Sequence, residues 1–297
     1  MTVIVTGSSG LLGSALVRSL RDDGRRVLSL VRREPAGPDE ASWNPATGEL
    51  DPAVLEGAEA VVHLAGAGIG DKRWTPEHKR EIRRSRVEGT RTIARTLAGL
   101  SARPPVFVSA SAVGYYGDTR DRIVDETSPP GTGFLAEVVR AWEEETVPAE
   151  EAGIRTVRLR TGLVLSGKGG ALAPILPIFK LGLGAPLGSG RQYWPWISIV
   201  DWVGAVRHVL DHGDVAGPVN LTAPEPVTNA EFTKALGKAL GRPTLPLPVP
   251  GFALRLGLGE FAEEGVLIGT RAVPKRLITA NYTFRHTDLG DALADVL

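Results

Sequence analysis

"VTGSSGLLGSALVRSL", residues 5–20, sets Gly7, Gly10 and Gly13 three apart between an apolar run and an amphipathic one. In a turn of this kind the first glycine permits a tight reversal after a strand. The second lets backbone N–H groups approach a pyrophosphate, and the third lets the following helix pack closely on the strand. The pattern carries weight only when a strand precedes it and a helix follows, which is its context here. The turn therefore reads as a nucleotide site, with Gly7, Ser8, Ser9, Gly10, Leu11, Leu12 and Gly13 around the phosphates.

Further along, "VLSLV" (27–31), "AVVHLA" (60–65), "PVFVSAS" (105–111) and "TVRLRTGLVL" (156–165) join "TVIVT" (2–6) as strand-like runs. Residues 11–23, 76–98 and 134–152 between them carry apolar positions near helical spacing. Apolar strands linked through helices describe a parallel sheet covered on both faces, so the expected class is α/β, a Rossmann-type doubly wound sheet. Residues 1–165 form the expected nucleotide domain, completed by about 195–225. Glycine and proline then dominate, and 166–194 with 226–297 read as a substrate-side annex ending in a small C-terminal domain.

Composition narrows the partners. Thirty-four basic residues balance thirty-four acidic ones, which gives no global electrostatic reason to expect nucleic acid or an anionic membrane. With no cysteine, disulfides, thiolate metal sites and cysteine nucleophiles are excluded together. No apolar run approaches a membrane span and no leader precedes the first strand, so a soluble cytoplasmic protein with a small-molecule substrate is expected.

The second strand ends "LVRRE", with Arg32 22 residues after Gly10 and Arg33 next to it. An acid about twenty residues past the glycines accepts the ribose 2′-hydroxyl of NAD, whereas a 2′-phosphate needs positive charge there. NADP is therefore expected over NAD; Glu34 is close by, and the alternative is two solvated arginines on a loop. On the basic helix, Ile82, Gly89, Ile93 and Leu100 share one stripe while Arg80, Arg84 and Arg91 point away. Arg86 falls on the inward side. A guanidinium there needs an anion or a set of carbonyls, most simply the cofactor, and an ion pair with Glu81 or Glu88 stands beside that reading. Glu81 and Arg86 are both counted as facing the cofactor.

With the glycine turn, "VVHLAG", "VSASAVGYYG" and "WISIVD" in view, the chain resembles the extended short-chain dehydrogenase/reductases. More closely it resembles their atypical "epimerase family" branch, which ends in a small C-terminal domain. The branch pattern runs almost end to end: "KRWT" (72–75), "SR" (85–86), "WE" (142–143), "LRTGLVLS" (159–166), "GLGAPLGSGRQYWPWI" (182–197), "GPVNLTAPEPVTNAEF" (217–232) and "VPKRL" (273–277). The resemblance implies NADP(H) binding, with Leu64, Ala65 and Gly66 beside the adenosine and pyrophosphate. It places Arg160, Thr161, Gly162 and Leu163 over the nicotinamide end, with Ser109 nearby.

The same resemblance implies a catalytic serine, matched by Ser111, and a tyrosine with a lysine four residues on that lowers its pKa. The tyrosine has no match. In "GTGFLAEVVRAWEEE" Phe134 or Leu135 holds its position, and Val138 or Val139 holds the lysine position. Tyr116 with Arg120 imitates the spacing, so Ser111 and Tyr116 are the candidate catalytic residues. The superfamily asparagine before "V-x-G-T" is Arg86 here.

His63 reads as a packed strand-end residue, and His78, His208, His212 and His286 lack any metal-ligand spacing, so no metal is expected. Gln192, Tyr193, Trp194 and Trp196 read equally as pocket lining or as a packed hinge, and Lys168 in "SGKGG" as a loop lysine able to reach phosphate. The expected function is an NADP(H)-dependent oxidoreductase on a small molecule, without the usual dyad. The alternatives are a non-catalytic NADPH-binding redox sensor and a nucleotide-sugar epimerase or dehydratase. A homodimer through two long helices, common in the superfamily, is left open by the outward arginines.

Overall fold

A computed structural model describes residues 2–297. Seven strands form one sheet: β1 (Thr2–Thr6), β2 (Arg26–Val31), β3 (Glu40–Ser42), β4 (Ala60–His63), β5 (Val106–Ala112), β6 (Arg155–Thr161) and β7 (Gly217–Leu221). Their order is β7-β6-β5-β4-β1-β2-β3, and every pair is parallel. This is the doubly wound Rossmann-type α/β architecture that the apolar runs predict. The chain winds outward from β1 to β3 and then restarts at β4, beside β1. The loops leaving β1 and β4 therefore diverge and open a crevice at the carboxyl ends of the strands.

Alternation along β1 explains both faces. Val3 and Val5 point into one core with Leu16 and Leu20 of α1 (Leu11–Asp22) and Trp202 and Val206 of α4 (Ile199–Asp211). Ile4 points into the other with Ile93 and Leu97 of α2 (Pro76–Ala98). The third long helix on the sheet, α3 (Phe134–Glu144), stops before Glu145 and a short turn resumes at Val147–Glu151, so the expected 134–152 helix is broken. Pro148 sits in the first turn of that segment, and Thr146 Oγ1 donates to the Glu143 carbonyl at the end of α3.

The expected strand 156–165 also divides. Arg155–Thr161 stays in the sheet, whereas Leu163–Leu165 leaves it to pair with Trp196–Ser198. Gly162 is the break, because a Cβ there would sit 2.3 Å from the Pro195 carbonyl oxygen. The ribbon leads into the annex, where α5 (Asn229–Ala239) and α7 (Leu289–Val296) pack Phe232, Leu236 and Leu293 on Leu165, Leu172 and Trp196. One further helix, α6 (Gly251–Leu258), has no buried residue.

A buried carboxylate ties the tail to the sheet domain. Asp201, in the first turn of α4, accepts from Tyr282 Oη (3.1 Å), Arg285 N (2.7 Å), His286 N (2.9 Å) and Ser198 Oγ (3.0 Å). Its companions Ser198 and His286 superficially suggest a hydrolytic triad, yet Ser198 is fully enclosed and caps α4 through its hydroxyl. The group is an anchor. Gln192, Tyr193, Trp194 and Trp196 likewise form a packed hinge: Gln192 donates to Leu187 and Val266 carbonyls, and Trp194 packs edge-on against Phe232 at 5.2 Å.

Candidate functional site

The three glycines of the turn do different work. Gly7 has φ +67°, and a Cβ there would lie 2.9 Å from Ala65 N and Leu64 C, so both conformation and space require glycine. A Cβ on Gly13 would meet the Gly7 carbonyl oxygen at 2.1 Å, which is the close helix-to-turn packing that the spacing predicts. Gly10 is different, since the nearest protein atom would be 3.4 Å away. Nothing in the chain demands glycine there, and the space before it is open to a ligand. Gly10 also caps α1 without a side-chain hydrogen bond, and no acid occupies the first turn. The positive end of the helix dipole is thus left for an anion.

A cleft of about 1130 Å³ runs across this turn. Gly7 to Gly10 form its floor and Leu64 to Ala67 one wall; Arg32, Arg33 and Glu81 also border it. Trp43 and the 36–40 loop line it too, and the sequence reading missed both because the strand β3 (Glu40–Ser42) that joins them is only three residues long. The far end carries two acids, each compensated. Glu40 is held in a fork by Arg33 at 2.7 Å on both oxygens and by the Ala36 amide, which pulls its carboxyl down to about 2. Asp39 faces Arg21 at 3.7 Å. Arg33, expected to face the cofactor, is therefore committed to Glu40. Among the described residues Arg32 has no hydrogen-bonded or ionic partner, and it is exposed at the cleft edge.

Behind the turn, Thr6 Oγ1 accepts from Leu64 N (3.0 Å) and Ala65 N (3.2 Å), so its own proton goes to His63 Nδ1 at 2.8 Å. The imidazole proton then sits on Nε2, which is buried without a partner against the bare edge of Gly89. His63 is the packed strand-end residue expected, and burial drives its pKa down to about 4. The unfolded chain binds this proton more readily than the native one, near the ordinary value of about 6.5. The stabilisation is complete above that pH and is lost as pH falls through the native value. Between pH 7 and pH 5 the wild-type protein should lose about 2 kcal/mol more than His63→Asn in urea denaturation. Equal losses in both proteins would rule the linkage out.

Arg86 is on the inward face of α2, as the periodicity predicts. Its Nη1 donates to the Ala67 (2.9 Å) and Ile82 (3.0 Å) carbonyls, and its guanidinium lies 5.1 Å over the Trp142 ring. Burial lowers its pKa to about 10. The ion-pair alternative fails: Glu81 engages His78 at 3.3 Å and Glu88 faces Arg84 at 3.7 Å. Carbonyls and an aromatic face hold Arg86 beside Gly66, whose missing Cβ would touch it at 3.6 Å.

The residues expected at the nicotinamide end form a separate, buried network. Arg160 stands between β6 and α3, donating to both Glu143 oxygens at 2.8 Å and to Tyr116 Oη at 3.0 Å, with its guanidinium 3.4 Å above Tyr115. Burial works to lower its pKa, but the Glu143 hydrogen bonds and charge outweigh it and raise it. Arg160 is thus an internal brace and does not border the cleft. Thr161 accepts from Trp202 Nε1, Gly162 marks the strand break, and Leu163 packs in the annex core. Leu11 lies under Gly169 and Gly170, and Leu12 faces the core of α1.

The two candidate catalytic residues join the same network. Tyr116 is 1% exposed; its hydroxyl donates to Asn220 Oδ1 at 2.8 Å, and burial, opposed by Arg160, pushes its pKa up to about 12. At neutral pH it keeps its proton, and that proton is committed to Asn220. Ser111 Oγ donates to Glu143 Oε1 at 2.6 Å, while Ser109 Oγ turns back to the Ala110 carbonyl. A serine whose proton is committed to a carboxylate keeps only its lone pairs for a ligand. Glu143, the hub of this arrangement, was marked in the sequence by the branch pattern "WE" (142–143), which gives no sign of its partners.

The dyad positions are apolar in space as well. Val138 is enclosed with Trp74 and Ile82, Phe134 meets Trp74 edge-on at 5.1 Å, and Leu135 packs over Gly114.

Residues 3–222 match the model of the NAD dependent epimerase/dehydratase family, and residues 249–296 match a domain of unknown function, DUF1731. The chain is 48% identical over 292 residues to Epimerase family protein ML0860 of Mycobacterium leprae, covering 98% of this chain and 94% of that protein. Among solved structures, human epimerase family protein SDR39U1 with NADPH superposes with a TM-score of 0.91 at 33% identity, covering 100% of this chain and 99% of that one. A nucleoside-diphosphate sugar epimerase from Corynebacterium glutamicum superposes with a TM-score of 0.83 at 37% identity, covering all of this chain and 58% of that one.

Proposed function

Because the chain belongs to the NAD dependent epimerase/dehydratase family, we propose that it is an NADP(H)-dependent oxidoreductase acting on a small molecule without a tyrosine–lysine dyad. One observation carries the cofactor choice: the acids at the far end of the cleft are each compensated, and among the described residues lining the cleft Arg32 is the arginine without an ionic partner. A 2′-phosphate is the group that such a surplus cation suits, and a ribose diol would leave it idle. The human relative solved with NADPH supports the same reading.

In this reading the amides of Gly7 to Gly10 and the start of α1 hold the pyrophosphate, Arg32 holds the 2′-phosphate, and Leu64 to Gly66 form the opposite wall. The bound cofactor supplies a hydride. The chain itself supplies little acid–base chemistry, since Tyr116 is enclosed and Ser111 donates to Glu143. Protonation of a reduced carbonyl falls to water at the cleft mouth. Arg86, charged and held beside Gly66, favours negative charge developing near that wall.

Isothermal titration tests the cofactor part. NADPH should bind about ten to a hundred times more tightly than NADH, and Arg32→Glu should reverse the order. Equal affinities in the wild type, or no binding of either, would remove the proposal. The apolar dyad positions also favour a second reading, a non-catalytic NADPH sensor. Intact NADPH binding with no NADPH consumption across a panel of carbonyl compounds would select the sensor; turnover within the usual range of about 1 to 1000 per second would select the enzyme.

A further inference from the structure

The overall charge balance conceals a strong local segregation. From Ala152 to Val200 and from Phe232 to Gly259 there is no aspartate or glutamate at all. These two stretches build most of the annex. Their exposed cations Lys168, Lys180, Arg191, Lys234, Lys238 and Arg242 make no ion pair among the described residues. These two stretches are therefore cationic, and the acids of the annex, Glu231, Glu260, Glu263, Glu264, Asp288, Asp291 and Asp295, lie outside them.

The same stretches carry the most exposed large apolar side chains among the described residues. Leu181, Leu247, Phe252 and Leu256 are 75%, 78%, 70% and 79% exposed. Backbone pairing draws their segments together: Gly184 bridges Thr244, Leu187 bridges Val249, and Leu245 N donates to the Gly184 carbonyl at 2.7 Å. A Cβ on Gly182 would touch Pro243 at 3.4 Å, which sets Lys180 and Leu181 near Arg242. From Val249 the chain passes directly into α6, where Phe252 and Leu256 are one turn apart on the same face and none of the eight residues is buried.

We propose that this face of the annex docks the protein on the surface of an anionic lipid bilayer. Two features favour a bilayer over a folded acidic partner. Side chains exposed by seven-tenths or more protrude, whereas anchors for a protein partner need complementary pockets and a desolvated rim. Exposed phenylalanine and leucine, with the unpaired Lys180 and Arg242 beside Leu181 and with Arg255 of α6 paired to Glu263, match the interfacial zone, where apolar tips enter the acyl boundary and cations meet anionic headgroups. No helix among the described residues is long and apolar enough to cross a membrane, so the attachment is peripheral. The docking face lies outside the cleft, and the inference does not rest on the cofactor assignment.

Co-sedimentation of the full chain with vesicles tests it. Vesicles of equimolar phosphatidylglycerol and phosphatidylcholine should pellet the protein, and pure phosphatidylcholine vesicles should do so at least about tenfold less well, with the difference shrinking at high salt. The double substitutions Phe252→Glu with Leu256→Glu, and Lys180→Glu with Arg242→Glu, should each weaken pelleting about tenfold or more while leaving the thermal melt unchanged. All of the substituted side chains are exposed, so the fold should survive them. Absence of pelleting with either vesicle overturns the proposal, as does full retention by the Phe252/Leu256 variant. Analytical ultracentrifugation covers the rival occupant: a dimer that dissociates on the Phe252/Leu256 substitution would assign the face to a second copy of the chain and overturn it equally.

Discussion

Gly13→Ala should lower stability by about 3 kcal/mol or more and abolish nucleotide binding. Its new Cβ would approach three backbone atoms, the Gly7 oxygen at 2.1 Å, the Gly7 carbon at 2.8 Å and Ser8 Cα at 2.9 Å. Backbone cannot rotate aside as a flexible side chain would, so α1 has to back away from the turn, and Leu16 and Leu20 leave their packing on Val3 and Val5. Gly10→Ala provides the contrast. With 3.4 Å to its nearest neighbour it should cost about 1 kcal/mol or less, chiefly as a poorer helix cap. Yet it should weaken NADPH binding more than tenfold, because the methyl group enters the space left for phosphate. Urea denaturation and titration calorimetry on both variants separate the two effects. If Gly13→Ala is as stable as the wild type, or Gly10→Ala binds normally, the division of labour within the turn is wrong.

Arg160→Met should cost about 3 to 5 kcal/mol, because it strands the Glu143 carboxylate in a buried setting with Ser111 as its remaining donor. The neutral partner change, Glu143→Leu on top of Arg160→Met, should restore much of that loss. Removing both charges removes the desolvation cost that neither could bear alone. A double-mutant cycle by chemical denaturation reads the coupling directly. A single substitution costing less than about 1 kcal/mol, or a double variant no better than the single, would show that the pair is not the brace inferred from its geometry. The same experiment bears on function: if Arg160 contacted the cofactor, NADPH affinity would fall even in the restabilised double variant.

Much of the cleft was legible locally. The glycine spacing, the strand before it and the helix after it are properties of fifteen or so consecutive residues, and local sterics dictate each of them. The inward direction of Arg86 followed from helical period alone, since Ile82 and Ile93 on the same face had to meet the sheet. Its partners could not be read that way. Two carbonyls and the Trp142 ring come from a loop, a preceding turn and another helix, and nothing in the order of residues favours them over Glu81 or Glu88. The broken strand at Gly162 was hidden for a similar reason, because the Pro195 carbonyl that leaves no room for a side chain lies more than thirty residues on.

Arg160 and Tyr116 mark the other limit. Family likeness directed both toward the reacting end of the cofactor, but burial and the acid on the facing helix turned them toward each other and Glu143. The pairing of Arg33 with Glu40 has the same character: "LVRRE" shows two arginines, and only the return of β3 alongside β2 decides which one stays free. Periodicity and glycine geometry were sufficient for the layered parallel fold and for the tight glycine turn at the head of α1, because these depend on backbone sterics and on which residues repel water. The assignment of charges to partners, and the gathering of the acid-free apolar surface on the annex, arose only on folding. Coulombic and apolar contacts follow proximity in space, and proximity between residues a hundred positions apart exists only once the sheet has brought their loops together.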